Sequence, residues 1–409
     1  MSKTNNVPKI RFPEFHDEWE QCKLGELVEI GDIDHRMPPS VEDGIPYLMT
    51  GDFRGINELN FKGVKRISIE DYEKLSRKIK PEKGDIIFAR YASVGAVRYI
   101  DFTNDFLISY SCAIIKKSKK IDSKYLYHYL TGDCAQKQIK LEINSSSQAN
   151  IGIDSMKNFI RVLMPSEDEQ TKISEFLSNF DTFITLHQRK CDAIKELKKS
   201  MLQNMFPRDG ERVPRLRFPG FTDDWEQRKL GDEFERVNER NNGQFGITHW
   251  ISVAKMYYQE PDKVQSNNLD TRTYVMRKGD IAFEGHPNSE FQFGRFVAND
   301  IGDGIISELF PIYRHKMPYI NSYWKYAIQI ERVMRPIYAK AITSSGASSN
   351  KLNEEHFLRE DILVPSIKEQ EAIGTLLTNV DNLITIHQRK CDELKKIKKY
   401  ILNNMFPKV

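Results

Sequence analysis

His187-Gln188-Arg189-Lys190-Cys191-Asp192 returns letter for letter at residues 387–392, and Asn204-Met205-Phe206-Pro207 returns at 404–407. A long interval repeated this closely means that one structural unit is built twice, and it decides the architecture before any local reading. The flanking residues say what the repeated piece is. Ile173, Phe180, His187, Ile194 and Met201 fall seven apart, with Leu177, Ile184, Cys191, Lys198 and Met205 between them. These are heptad a and d positions, the seam of a coiled coil. The second copy repeats them at Ile373, Val380, His387, Leu394 and Ile401, interleaved with Leu377, Ile384, Cys391, Lys398 and Met405. Pro165-Ser166 suits a helix start and Pro207 a stop, giving a rod of roughly 58 Å at 1.5 Å per residue. The expected arrangement is an antiparallel pair, and the alternative is that each helix packs on its own domain.

The front of each half repeats as well. Pro8-Lys9-Ile10-Arg11-Phe12-Pro13, Trp19-Glu20-Gln21 and Lys23-Leu24-Gly25 recur 206 residues later as Pro214 to Pro219, Trp225-Glu226-Gln227 and Lys229-Leu230-Gly231. Pro165-Ser166 and Glu169-Gln170 recur at Pro365-Ser366 and Glu369-Gln370. The middles, roughly 30–160 and 236–360, share little beyond Lys83-Gly84-Asp85-Ile86 against Lys278-Gly279-Asp280-Ile281. Strand-like runs at 85–89, 106–108 and 280–283 mix with helical stretches around 123–142 and 319–335, so the fold class expected is α+β. The expected boundaries are a first domain at 1–164, its long helix at 165–207, a second domain at 208–364 and its helix at 365–409.

Similar ends around dissimilar middles suggest one scaffold carrying two different recognition surfaces. Residues suited to base edges and phosphates cluster in the expected loops: Arg90, Tyr91, Ser93 and Arg98, then Asn144, Ser145, Ser146 and Gln148 in the first domain. The second domain offers His286, Asn288, Ser289, Arg295, Ser344 and Ser345. Arg can pair with guanine, Asn and Gln with adenine, and Ser with phosphate or either base. The net charge of +3 over 409 residues does not by itself indicate nucleic-acid binding; a local basic surface must supply that.

Other classes find less support. No run of eighteen apolar residues could cross a bilayer, and the start lacks the apolar stretch of a secretory signal, so a cytoplasmic protein is expected. The five cysteines form no Cys-x-x-Cys pair. Phosphate-binding glycine motifs are missing, and Met37-Pro38-Pro39-Ser40 lacks both ends of the motif that holds a flipped base. No catalytic residue is expected. His187, Cys191, His387 and Cys391 leave two readings open, a Cys2His2 zinc set or a polar layer that fixes helix register, and the expectation is no metal.

Together the Lys-Leu-Gly segments after Trp19 and Trp225, the Gly-Asp-Ile strands, the Pro-x-x-x-Glu-Gln helix starts and the duplicated helices resemble the specificity subunits of type I restriction-modification systems. The resemblance covers nearly the whole chain. It implies two target-recognition domains, each reading half of a split site in double-stranded DNA, with an antiparallel coil setting the gap. It also implies two methyltransferase subunits carrying S-adenosylmethionine, and two motor-nuclease subunits using ATP and magnesium. Glu169, Gln170, Glu369 and Gln370 are expected to contact the two equal methyltransferase partners. The other reading is a stand-alone two-domain DNA-binding regulator or scaffold; an enzyme with an unfamiliar site is disfavoured by the missing motifs.

Overall fold

A computed structural model describes residues 7–407 apart from 145–147, 265–267 and 346–348, and leaves the side chains of 343–345 undescribed. The chain forms two compact units: residues 1–190 together with 387–409, and residues 191–386. Each boundary cuts a long helix near its middle. The first long helix spans Glu167–Asn204 and the second Ile367–Met405. Ser166 and Ser366 cap them, each hydroxyl accepting from the backbone N–H three residues on at 3.4 Å.

In the first unit a four-stranded antiparallel sheet runs in the order Ile30–Gly31, Cys112–Ile115, Ile86–Ala89, Val97–Tyr99. Its central strands are buried on both faces, which is why they read as unbroken apolar runs. Alternation sorts the side chains: Ile86, Phe88, Ala113 and Ile115 enter a core with Trp19, Tyr125 and Leu177, while Ile87, Cys112 and Ile114 enter a second with Tyr47, Leu48 and Phe106. The helical stretch expected at 123–142 divides at Gly132 into Ser123–Thr131 and Asp133–Leu141.

The second unit repeats this plan with strands Phe234–Val237, Ile312–His315, Ile281–Glu284 and Arg295–Ala298. Ile281 and Phe283 face a core with Trp225, Trp324 and Tyr338, and Ala282 faces one with Ile251 and Met276. The shared Gly-Asp-Ile motif has a structural purpose in both units. Gly84 and Gly279 take φ of +96° and +97°, a turn that favours glycine. The next residue, Asp85 or Asp280, is buried and accepts from the turn backbone and from a cation, Lys116 just past the neighbouring strand or Arg314 on it.

The ends of the long helices complete these cores. In the second unit Phe206 packs edge-on to Trp225 at 5.9 Å and stacks on Tyr323 at 5.8 Å. In the first, the equivalent ring comes from the other end of the chain: Phe406 lies 6.3 Å from Trp19, 5.8 Å from Tyr125 and 5.2 Å from Tyr129. Backbone bonds follow suit, with Asn404 O accepting from Lys9 and Ile10 as Asn204 O accepts from Leu216.

Candidate nucleic-acid interface

Each unit brings two loops together at the end of its central hairpin. In the first, the loop between Ile86–Ala89 and Val97–Tyr99 carries Arg90, Tyr91 and Ser93. Tyr91 forms a β-bridge with Asn150, which also bridges Asn144. Two sequence clusters some fifty residues apart thus form one surface. Ser93, Asn144 and Gln148 are exposed there and Tyr91 is half-buried; Ser145 and Ser146 lie outside the described residues. Ala92 at the tip has φ +57°, an uncommon backbone state for a residue with a Cβ.

The arginines of this cluster are turned to other work. Arg90 is buried, its Nε donating to Ile151 O at 2.9 Å and its guanidinium paired with Asp32. Burial pushes the Asp32 carboxyl up, but hydrogen bonds from His35 and Lys78 and the charge of Arg90 outweigh this and hold it below its ordinary value. Arg98 donates to the carbonyls of Arg54, Gly55, Glu58 and Val97 and lies over the Phe53 ring at 4.9 Å. Both guanidiniums fix loop geometry, which leaves Ser93, Asn144 and Gln148 as the exposed side chains of this surface, with Tyr91 half-buried beside them.

The second unit uses different side chains on the same plan. Gly285 follows the strand Ile281–Glu284, and Asn350 N donates to its carbonyl at 2.8 Å. A Cβ at Gly285 would sit 2.3 Å from Asn350 O, so the two loops meet only because this residue is glycine. His286 is exposed with Nδ1 2.6 Å from Glu284 Oε1; Asn288 Oδ1 accepts from the backbones of Glu290 and Phe291, and Ser289 is exposed. Arg295 donates to Ala254 O and stacks on Phe291. Ser344 and Ser345 lie on the strand Ile342–Ser345, paired with Lys351 and Asn350. Asn150 and Asn350 had not been singled out by sequence, although their 200-residue spacing is that of the repeat.

Glu169 and Gln170, expected on a partner surface, point inward. Glu169 takes two bonds of 2.8 Å from Arg11 and one of 3.1 Å from Trp19 Nε1, while Gln170 joins Asp122 N to Pro165 O. Glu369 takes two bonds from Arg217, and Gln370 joins Ile320 N to Pro365 O. All four side chains are buried, so they lock the helix start to its domain and offer no atoms to a docking protein within these units.

Along the helices, Ile173, Leu177, Ile184, Cys191, Ile373, Leu377, Val380 and Cys391 are buried, and Phe180, His187, Ile194, Ile384, His387 and Leu394 are half-buried. Ile173 and Leu177 belong to the core of their own domain, as Ile373 and Leu377 belong to theirs, so the first turns of each helix pack as the domain-packing alternative supposed. Farther along, the helices touch in opposite sense. In the first unit Lys398 pairs with Asp181, Cys391 Sγ lies 3.9 Å from Ile184 O, and the Nδ1 atoms of His187 and His387 are 2.9 Å apart. In the second, Lys198 pairs with Asp381 at 2.7 Å and Cys191 Sγ lies 3.9 Å from Ile384 O. Histidine therefore meets histidine at this layer. Partial desolvation, then the charges of His387, Lys190 and Lys390, hold the His187 imidazole below its ordinary pKa. Among the described residues no three His, Cys, Asp or Glu side chains converge to hold a metal, and no helix is long and apolar enough to cross a membrane.

Two units with one scaffold and two different loop pairs define a class of protein that carries paired recognition surfaces. Comparisons with known proteins agree. Residues 16–196 match the family described as type I restriction modification DNA specificity domain. Over 98% of this chain and 96% of the relative, it is 24% identical to a putative type I restriction enzyme MjaX specificity subunit of Methanocaldococcus jannaschii. The MjaVIII specificity subunit of the same organism is 21% identical over 96% of this chain and 92% of its own. Among solved structures, the S subunit of a type I restriction-modification system from M. genitalium has the same fold, with a TM-score of 0.61 at 15% identity over 98% of this chain and all of the other. A chain from a structural study of complex assembly and conformational transition in a type I system gives 0.51 at 15% identity over 94% and 96%. Over nearly its whole length the chain is thus similar to type I restriction enzyme specificity subunits, and residues 16–196 carry the match to the specificity-domain family.

Proposed function

We propose that this chain is the DNA-sequence-recognition subunit of a type I restriction-modification complex, binding a bipartite duplex target with one unit on each half-site. The observation that carries this reading is the repeated scaffold with unlike loop pairs, Tyr91/Asn144/Asn150 in one unit and Gly285/His286/Asn350 in the other. The half-sites differ because the loops differ; the helices, paired as an antiparallel coiled coil, set the gap between them. The chain supplies the address and no chemistry of its own, which falls to methyltransferase subunits using S-adenosylmethionine and motor-nuclease subunits using ATP and magnesium, all in the cytoplasm. Residues 30–160 should be exchangeable for the equivalent segment of a relative with another target. Mapping methylated adenines in cells carrying the complete system should then show one half-site changed, with the other half and the gap retained. A change in both halves, or in neither, would show that the units do not read independently.

Two equal methyltransferase partners need two equal surfaces, and the inward-facing Glu-Gln pairs do not supply them. Exposed apolar residues on the long helices do. Phe183 and Leu186 in the first unit recur as Leu383 and Ile386 in the second, all exposed, and large apolar side chains on an exposed helix face mark a partner surface. Phe183→Glu with Leu383→Glu is expected to abolish copurification with the methyltransferase while leaving helix content by circular dichroism intact. Undiminished assembly would move the partner surface elsewhere.

A further inference from the structure

In the first unit a cleft of about 600 Å³ opens between the central hairpin and the last turns of the second long helix. Its hairpin wall contains Ser93 and Arg98, and its helix wall contains Lys395, Lys398 and Lys399. Lys398 is neutralised by Asp181. Lys395 and Lys399 are exposed and make no ion pair or hydrogen bond among the described residues. Arg98 has all its bonds on carbonyls and no carboxylate partner among the described residues, so its charge is uncompensated while its donors are spent. One carboxylate, Asp133, lines the same cleft. Two free ammonium groups and a caged guanidinium against one acid leave a positive pocket beside the loop that presents Tyr91 and Ser93.

The hairpin wall is pinned in place. Gln136 donates to Gly95 O at 2.9 Å and to Leu130 O at 2.6 Å, tying the hairpin to the helix Asp133–Leu141. Gly95, at φ +90°, passes so close that a Cβ there would lie 2.8 Å from Gln136 Oε1. A fixed positive cleft next to a base-reading loop suits the backbone of the strand being read, since phosphate contacts fix register and orientation.

We infer that this cleft seats backbone phosphates of the duplex half-site read by the first unit, with Lys395 and Lys399 as the phosphate ligands, so that the long helix holds DNA as well as spacing the readers. The inference rests on the DNA-recognition reading above and adds to it a named contact from an element outside the recognition loops. The same two lysines occur 200 residues earlier at Lys195 and Lys199.

The test is equilibrium binding of the full-length chain to target and unrelated duplexes over a series of salt concentrations. Lys395→Gln with Lys399→Gln should weaken both duplexes by the same factor and lower the slope of log affinity against log salt by about one per lysine. Lys396→Gln, a neighbour outside the cleft, should leave the slope unchanged. A wild-type slope in the double variant would overturn the cleft, as would a slope change of equal size in the Lys396 control. Failure of the wild-type chain to bind any duplex at low salt would remove the recognition reading and the cleft with it. Inorganic tripolyphosphate, added at constant ionic strength, should compete no better than sulfate; stoichiometric binding lost in the double variant while the DNA slope stays put would assign the cleft to a free polyphosphate.

Discussion

Removing residues 401–409 is expected to unfold the first unit, although the loop that carries Tyr91 lies some three hundred residues earlier in the sequence. Ile401, Leu402, Met405 and Phe406 are all buried in the core around Trp19 and Tyr125. At about 1.5–3 kcal/mol for each buried side chain the loss is about 6–12 kcal/mol, an upper bound set by the extended-chain reference. That matches the whole stability of a typical domain, about 5–15 kcal/mol. Phe406→Ala alone should cost about 3–5 kcal/mol. The second unit contains its own Met205 and Phe206 and should stay folded. Hydrogen exchange read segment by segment checks this. Strands 86–89 and 112–115 should lose protection in the truncated chain while 281–284 and 312–315 keep theirs, and full protection of the first set would refute the account.

The second large effect is expected at the ion pair between the helices. Lys398 is buried against Asp181, and desolvation pulls the ammonium pKa down and pushes the carboxyl pKa up, with the attraction between them offsetting part of each. Asp181→Ala should destabilise the first unit by about 3–5 kcal/mol, because it strands a charge in a nearly dry site. Replacing both, Lys398→Met with Asp181→Leu, should cost little or even stabilise, since two apolar groups carry no desolvation penalty. Denaturant titration of the two variants separates the cases. Equal losses in single and double variants would mean that packing, and not charge, holds this layer. Lys198 and Asp381 sit less deeply in the second unit, so the same substitutions there should have smaller effects.

Much of this was legible in the sequence, for physical reasons that also mark the limit. The heptads at 173–205 and 373–405 and the alternation in 86–89 are local periodicities, and a periodic pattern reports its own burial. The Gly-Asp turn, the Trp-Glu-Gln segments and the helix starts were found because they occur twice. Repetition does not say which way a charged side chain faces, however. Glu169 and Glu369 looked like surface because Arg11 and Arg217, which bury them, lie more than 150 residues away. Lys198 and Lys398 were placed on the seam by the heptad alone, which does not name their partners Asp381 and Asp181. Of the residues proposed to read DNA, loop clusters such as Tyr91 and Asn144 could be put forward from composition, but the retirement of Arg90, Arg98 and Arg295 onto carbonyls and Asp32 depends on tertiary packing that leaves no trace in the order of letters.

The docking of Phe406 beside Trp19 also bears on how the protein is made. The second unit is one contiguous stretch, 191–386, whereas the first needs 387–409 to complete its core. A ribosome adding about 5–20 residues per second takes about 10–40 s to travel from residue 190 to residue 409. For that interval the first unit, although synthesised first, stands with an open apolar socket lined by Trp19, Tyr125 and Tyr129, and the unit made after it has every residue it requires as soon as residue 386 is added, before the first is complete. Order of birth and order of completion are inverted, so the nascent N-terminal half is the form that a chaperone would meet.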